Sequence, residues 1–180
     1  TGAFHSKESR YKNYFIWHDE NGWPENESYE CWWGLNNHPK LNYEDSHELM
    51  KNIMDTAAKW LKKPYYADGW RIDVGADLGK TGGFNHYFWG KFRKRVKDTN
   101  PNAVILAEHY GDASSWLTGN QWDTVMNYDA FMEPVSYFFT GMEKHSDYFN
   151  RDLYNNGVAF ANAMVQAMAR LPHHSLVSAM

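Results

Sequence analysis

Two acidic side chains, Asp73 and Glu108, stand at the ends of apolar segments and could carry out catalysis together. Asp73 lies near the end of an alternating run over residues 66–74, and Glu108 ends the apolar run over residues 103–108. Two carboxylates that face one another can divide the roles of nucleophile and general acid/base. Arg71, two residues before Asp73, would share its face of a strand and favour its ionised form. We therefore predict that Asp73 and Glu108 are catalytic.

Helical patterns around these runs predict a parallel sheet covered by helices. We predict helices over residues 44–62, 84–99 and 157–171, and strands over residues 66–74, 103–108, 123–128 and, in part, 174–180. Because one crossover helix joins the two acidic strands, both acids should lie at the same end of the sheet. Either acid alone would be interpreted as a helix cap or a salt-bridge partner, but the pair with Arg71 favours chemistry.

Four segments, in order along the chain, resemble motifs of the alpha-amylase family of glycoside hydrolases. Asp68–Asp73 resembles the family's strand-four motif, which carries the nucleophile, and Ile105–Glu108 resembles its strand-five motif, which ends on the general acid/base. Trp32–Asn42 contains the Pro-Lys-Leu-Asn signature of the neopullulanase and cyclomaltodextrinase branch, and Asp123–Tyr128 is similar to that branch's strand six. The four matches cover essentially the whole chain, which makes the resemblance specific.

The resemblance implies an α/β fold that is part of a (β/α)8 TIM barrel, about strands four to six and the start of seven. Residues 1–43, polar and without periodicity, are assigned to a loop-rich small lobe inserted after strand three, and residues 44–180 to the partial catalytic barrel. The family also has an Asn-His motif at strand three and a His-Asp motif at strand seven, which supplies a third carboxylate. No Asn-His pair precedes Trp32 and no His-Asp pair follows Tyr128, so neither motif is present at its expected position. We therefore expect residues 1–180 alone to be inactive and to associate through open sheet edges, giving a homo-oligomer.

The resemblance also implies a retaining hydrolase that acts on α-glucan linkages in starch, maltodextrin, cyclodextrin or pullulan. Asp73 would attack the anomeric carbon, and Glu108 would protonate the departing oxygen and then activate water. The side chains expected to bind substrate are Arg71, Asp77, His109, Tyr110, Trp32 and Trp33. This chemistry requires no cofactor; a structural calcium is common in the family, but the sequence assigns no metal ligands.

Two alternatives from other functional classes remain open at this point. A non-catalytic carbohydrate-binding or scaffold member of the same fold would retain the acids without using them. A nucleotide-binding domain would instead use Gly75–Thr81, which follows a predicted strand and ends in Gly-Lys-Thr. That loop has three residues between its glycines where a Walker loop needs four, so the spacing disfavours phosphate binding.

Composition excludes several other classes of function. The net charge is −4 and the basic run Lys91–Arg95 is interpreted as the solvated face of a helix, so we expect no nucleic-acid partner. No apolar run reaches membrane-spanning length, so we expect no membrane partner. The single cysteine, Cys31, excludes an internal disulfide, and the sequence assigns no compartment.

Overall fold

The structure, a computed structural model, describes residues 2–178. Its α-helices are α1 (His47–Trp60), α2 (Gly82–Thr99), α3 (Glu133–Thr140), α4 (Gly157–Arg170) and α5 (His173–Leu176). Its strands are β1 (Gly69–Ile72), β2 (Val104–Ala107) and β3 (Thr124–Val125). Single 3₁₀ turns cover Lys12–Tyr14, Trp32–Gly34, Gly75–Asp77 and Ser114–Trp116, and a π-helical turn covers Tyr128–Met132. None of the helices within 2–178 is both long and apolar enough to cross a membrane.

The three strands form one parallel sheet in the order β1-β2-β3. Trp70 pairs with Ile105, and α2 makes the crossover that parallel neighbours require. The predicted parallel pairing of the two acidic strands is therefore confirmed. A Cβ atom on Gly69 would lie 2.1 Å from the carbonyl oxygen of Val104, so the close approach of β1 and β2 requires a glycine here.

The core lies between α1, α2 and the sheet. Phe88, Phe92 and Val96 recur on one face of α2 and are at most 4% exposed, as amphipathic spacing predicts. They pack against Ile105 of β2 and against side chains of α1. The side-chain oxygen of Thr81 accepts a hydrogen bond from the backbone N–H of Phe84 (3.2 Å), and this N-cap fixes where α2 begins.

Residues 2–43 are held together by isolated antiparallel bridges rather than by a regular sheet. These bridges pair Phe15 with Leu41, Trp17 with Tyr29, and Cys31 with Pro39. Asn42 also donates its backbone N–H to the carbonyl of Tyr14 (2.9 Å). The Pro-Lys-Leu-Asn segment is thus tied back onto the start of the chain. The assignment of residues 1–43 to a small lobe stays a prediction.

The strands are shorter than predicted, most clearly at β1. Tyr66 and Val74, at the two limits of the predicted strand, have φ angles of 49° and 45°. This left-handed conformation is incompatible with a strand and ends the extended backbone on either side. Val74 therefore does not continue the alternation of Trp70 and Ile72.

The C-terminal part also differs from the prediction. The strand predicted over 174–180 is wrong for the described residues, because His173–Leu176 form α5, and residues 179 and 180 lie outside them. The backbone N–H groups of Ser175 and Leu176 both donate to the carbonyl of Pro172 (2.9 Å each), which closes a helical turn directly after the proline. The π-helical turn and α3 are not predicted by the sequence patterns.

Candidate active site

Asp73 and Glu108 each follow the last residue of their strand, at the same end of the sheet. The strand pairing continues through Glu108, whose backbone N–H donates to the carbonyl of Ile72 (2.8 Å). The Glu108 side chain lies close enough to Asp73 to contribute to lowering the pKa of that carboxyl group. Two carboxyl groups from adjacent parallel strands are therefore direct neighbours, as predicted from their strand positions.

Arg71 joins the two carboxyl groups. Its Nη1 donates to Oδ1 of Asp73, and its Nη2 lies 3.0 Å from Oε2 of Glu108. The same Nη2 contacts the sulfur of Met126 at 3.3 Å. The predicted contact between Arg71 and Asp73 is confirmed, and the contact with Glu108 goes beyond that prediction. A planar guanidinium can bind two acceptors at once in a way that a single ammonium cannot.

The two carboxyl groups lie in different environments. The Asp73 side chain is 77% exposed and that of Glu108 only 17%. The hydrogen bond from Arg71 lowers the pKa of Asp73 below its usual value; slight burial opposes this shift, and the neighbouring Glu108 side chain acts in the same direction as Arg71. Asp73 is therefore held as a carboxylate, with its oxygens open to a ligand.

Glu108 has two further hydrogen-bond partners. The Tyr128 hydroxyl donates to Oε1 (2.9 Å), and the backbone N–H of Val74 lies 3.3 Å from Oε2. Burial and the bond to Glu108 raise the pKa of Tyr128 to about 12, so the hydroxyl stays a donor. Tyr128 is not among the residues that the sequence predicted for the site. Its position at the end of the strand-six-like motif, next to the end of the Glu108 strand, could have indicated that it belongs there.

Tyr110 lies on the Glu108 side of the site and His109 does not face the same way. The ring of Tyr110 stacks on Tyr128, with 4.3 Å between centroids. The Lys144 ammonium lies 4.3 Å from the Tyr128 centroid and 4.8 Å from that of Tyr110, a cation–π arrangement that the sequence does not predict. His109 packs instead on Trp116, 5.0 Å between centroids.

Asp77 is bound by two tryptophans from a distant part of the chain. The indole N–H groups of Trp32 and Trp33 each donate to Oδ2 of Asp77 at 3.0 Å. Trp33 is 81% exposed and its backbone is left-handed, with φ of 51°. The carboxylate therefore fixes the edge of the Trp33 ring, while most of the side chain stays open to solvent.

An open cleft of about 760 Å³ runs along this side of the molecule. Arg71, Asp73, Asp77 and Trp32 are among the residues that line it. This volume is in the usual range for small-molecule sites. Within residues 2–178, no group of three or more His, Cys, Asp or Glu side chains is placed to hold a metal ion.

The loop that ends in Gly-Lys-Thr is surrounded by carboxylates. The Lys80 ammonium pairs with Asp45, and its backbone N–H donates to Oε2 of Glu44 (2.9 Å). Thr81 is used as the N-cap of α2. Two acidic side chains on the donors of this loop would repel a phosphate, so the geometry argues against the nucleotide-binding alternative.

Comparison with known proteins agrees with this geometry. The family described as "Alpha amylase, catalytic domain" matches residues 1–175. Neopullulanase 2 of Thermoactinomyces vulgaris is 37% identical over 133 residues, which are 74% of this chain and 21% of that protein. A cyclomaltodextrinase of Thermoanaerobacter pseudethanolicus is 36% identical over 132 residues, 66% of this chain and 22% of that protein. The chain thus spans about a fifth of the length of these relatives.

Solved structures share the same arrangement of the chain. A debranching enzyme of Nostoc punctiforme superimposes with a TM-score of 0.71 at 30% identity, over 93% of this chain and 36% of that one. A protein of Thermus thermophilus, Ttha1563, superimposes with a TM-score of 0.77 at 26% identity, over 99% of this chain and 37% of that one. The chain belongs to the alpha-amylase family of glycoside hydrolases, whose catalytic domain is a (β/α)8 barrel.

Proposed function

We propose that the protein containing this chain is a retaining hydrolase of α-glucan linkages, and that β1, β2 and β3 are strands four, five and six of its barrel. The observation that carries the proposal is the Arg71 guanidinium, which joins two carboxyl groups at the ends of adjacent parallel strands. The names of the relatives, neopullulanase and cyclomaltodextrinase, point to pullulan and cyclodextrins as substrates, beside starch and maltodextrin.

Asp73 is the nucleophile in this proposal. Its exposed side chain can reach a sugar bound in the cleft, and Arg71 favours its charged form. One carboxylate oxygen attacks the anomeric carbon as the bond from that carbon to the departing glycosidic oxygen breaks. The product of this step is a covalent glycosyl-enzyme, as in other retaining glycosidases.

Glu108 is the general acid and then the general base. It gives its proton to the departing oxygen in the first step and takes one from water in the second, so the anomeric configuration is retained. The Tyr128 hydroxyl donates to one of its carboxyl oxygens, and the backbone N–H of Val74 donates to the other. These bonds fix the position of the carboxyl group, and a fixed position within reach of the departing oxygen is what proton transfer requires.

The remaining predicted residues supply contacts to the sugar. Trp33 offers an exposed ring face whose position is fixed by Asp77, and indole faces suit the apolar side of a glucosyl ring. Trp32 shares the same carboxylate and lines the cleft. Tyr110, 44% exposed, would contact the sugar beside Glu108, whereas His109 packs on Trp116 and would not contact it directly.

The mechanism is tested in the full-length protein with an activated fluorosugar that forms a slowly hydrolysed glycosyl-enzyme. We expect mass spectrometry to find the added mass on the peptide that contains Asp73, and NMR to show an α-configured initial product. Asp73→Asn and Glu108→Gln should each lose activity by a factor of about 10⁴ or more. Asp98→Asn is the matched control, since Asp98 is an exposed aspartate paired with Lys94 on α2.

Two outcomes would contradict the proposal. A label on any other carboxylate, or an inverted product, would exclude the assigned roles. Binding of maltodextrin by wild-type protein without hydrolysis would favour the non-catalytic carbohydrate-binding alternative.

The segment 1–180 by itself is proposed to lack activity. By resemblance, the family relies on a third carboxylate from a strand-seven His-Asp motif, and no His-Asp pair follows the strand-six-like motif in residues 1–180. Both outer strands of the three-stranded sheet would also offer unpaired edges, which favours association with another copy. Starch hydrolysis by purified 1–180, together with its mass in analytical ultracentrifugation, tests both points; rapid turnover by a monomer would contradict them.

A further inference from the structure

A buried amide on α2, Asn85, binds the loop that follows β1. The residue is 2% exposed, and its Nδ2 lies 3.0, 3.1 and 2.9 Å from the carbonyl oxygens of Gly75, Ala76 and Leu78. Its Oδ1 accepts the indole N–H of Trp116 at 2.8 Å. Carbonyls can only accept and an indole N–H can only donate, so these partners fix the orientation of the amide.

The loop bound by Asn85 is also the loop that contacts the proposed general acid. The backbone N–H of Val74 lies 3.3 Å from Oε2 of Glu108, and that of Gly75 lies 3.3 Å from the Glu108 carbonyl. Trp89 of α2 adds a second donor to the Gly75 carbonyl (2.8 Å). Two donors from α2 therefore hold the carbonyl of Gly75, in the peptide directly after the two whose N–H groups point at Glu108.

This backbone needs such support. Val74 has φ and ψ of 45° and 49°, a left-handed conformation that is strained for a β-branched residue. Conformations of this kind persist only where surrounding contacts hold them, and they occur often at functional sites. Gly75 adds a steric constraint, since a Cβ atom there would lie 2.8 Å from the Trp122 ring.

The side-chain oxygen of Asn85, Oδ1, is bonded to Trp116, which lies in the loop that follows β2. Trp116, which donates to Asn85, stacks on Trp122 with 4.9 Å between centroids and contacts the His109 ring at 5.0 Å. His109 is the residue after Glu108. Asn85 thus bonds to the loop after the nucleophile strand and, through Trp116, supports the chain that carries the acid.

We propose that Asn85 is a positioning residue for the reaction: it acts through Val74 and Gly75 to hold a backbone donor on Glu108, without touching substrate itself. The inference rests on the role proposed above for Glu108. A purely structural amide would affect the stability of the chain when removed, but would leave the protonation of Glu108 unchanged.

The test replaces Asn85 by leucine, which has a similar shape and no donor. The Glu108 carboxyl is followed by ¹³C NMR in protein labelled at glutamate, with its signal assigned by Glu108→Gln. Without the Val74 donor the charged carboxylate is less favoured, so we expect its titration midpoint to move to higher pH by about half a unit or more. In the full-length enzyme, the alkaline limb of the kcat/KM profile should move in the same direction, with a fall in kcat that exceeds the change in KM.

Asn26→Leu is the matched control. Asn26 is 1% exposed and its amide also binds a backbone carbonyl, that of Asp19 at 2.6 Å, within residues 2–43. We expect a comparable loss of stability in urea but no change in the Glu108 titration. A shift of equal size in both variants would overturn the inference, and so would an unchanged Glu108 midpoint in Asn85→Leu.

A measurement on the unmodified chain covers the case in which Asn85→Leu does not fold. The side-chain amide protons of Asn85 should change chemical shift with the same midpoint as the Glu108 carboxyl, because one loop connects them. Amide protons that do not respond across that titration would overturn the inference. The NMR results decide this inference even if the wild-type enzyme proves inactive on glucans, an outcome that would overturn only the proposed function.

Discussion

Replacing Arg71 by lysine is the sharpest test of how the two carboxyl groups are held. The guanidinium uses Nη1 for Asp73 and Nη2 for Glu108, whereas a single ammonium has one nitrogen for both. Charge is conserved in this substitution, but the two-pronged geometry is lost. One charge-assisted contact should therefore disappear, and the remaining one should shift.

The size of the effect follows from that one lost contact. A hydrogen bond to a charged group contributes about 1.5–3 kcal/mol. If it is needed in the transition state, its loss lowers kcat/KM by roughly 10- to 150-fold, since about 1.36 kcal/mol corresponds to a factor of ten. Stability should change by less than about 1 kcal/mol, because Arg71 is 44% exposed and exposed ion pairs contribute little.

The assay is steady-state hydrolysis of a chromogenic maltoside by full-length Arg71→Lys, with urea unfolding of the same variant. Arg95→Lys is the control, because Arg95 is also 44% exposed and pairs with one carboxylate, Asp55, at 2.9 Å. Near-normal turnover by Arg71→Lys would refute the argument that a guanidinium with two nitrogens is needed to contact both carboxyl groups. An equal loss in Arg95→Lys would show that the effect is not specific to the site.

A neutral replacement, Arg71→Gln, tests the electrostatics of the same pair. The hydrogen bond from Arg71 is the main cause of the lowered pKa of Asp73, so its removal should raise that pKa towards the ordinary value of 3.8. The acidic limb of the kcat/KM profile, where Asp73 becomes protonated, should then move to higher pH. If the acidic limb of the Arg71→Gln profile stayed at the wild-type pH, the assignment of this limb to Asp73 and its stabilisation by Arg71 would be wrong.

Three further changes have clear expected outcomes. Burial favours protonation of Asp123, but bonds from Lys97 and Arg93 outweigh it and lower its pKa; Asp123→Asn should therefore cost about 2–4 kcal/mol in urea unfolding at pH 7. This difference should shrink as pH falls below 3.8, where wild-type Asp123 takes up its proton and loses its stabilising charge. Tyr128→Phe should lower kcat about tenfold with little change in KM, measured by steady-state kinetics, because Glu108, the proposed general acid, loses one donor. Trp33→Ala should raise KM for maltodextrin about tenfold, with a smaller effect on kcat.

Features that depend on local spacing could be predicted from the sequence. The helical periodicity of Phe88, Phe92 and Val96 predicted α2, and the crossover helix predicted that β1 and β2 are parallel. Given parallel neighbours, the ends of the two runs placed Asp73 and Glu108 at one edge. The contact between Arg71 and Asp73 also followed, since side chains two residues apart share a strand face.

Other local predictions were wrong because tertiary contacts or local turns outweighed weak patterns. The apolar residues after Pro172 suggested a strand, but backbone bonds to the proline carbonyl form α5. Val74 was expected to be the last residue of an alternating strand, yet the left-handed turn that places its N–H on Glu108 ends the strand before it. Asn85 and Trp89 of α2 donate to the Gly75 carbonyl directly after this turn, and no pattern around Val74 records these contacts.

By itself, the sequence determined the two acids, their order along the chain and the parallel strands that carry them. Only the tertiary structure decided which groups surround them. Tyr128 reaches Glu108 from 20 residues away, and Trp32 reaches Asp77 from 45 residues away. Such contacts depend on the three-dimensional paths of loops, because a side chain meets whatever the fold brings near it and not what lies near it in the sequence. Local periodicity therefore predicts where the two acidic groups lie, while the packing of distant segments sets their charge, orientation and exposure.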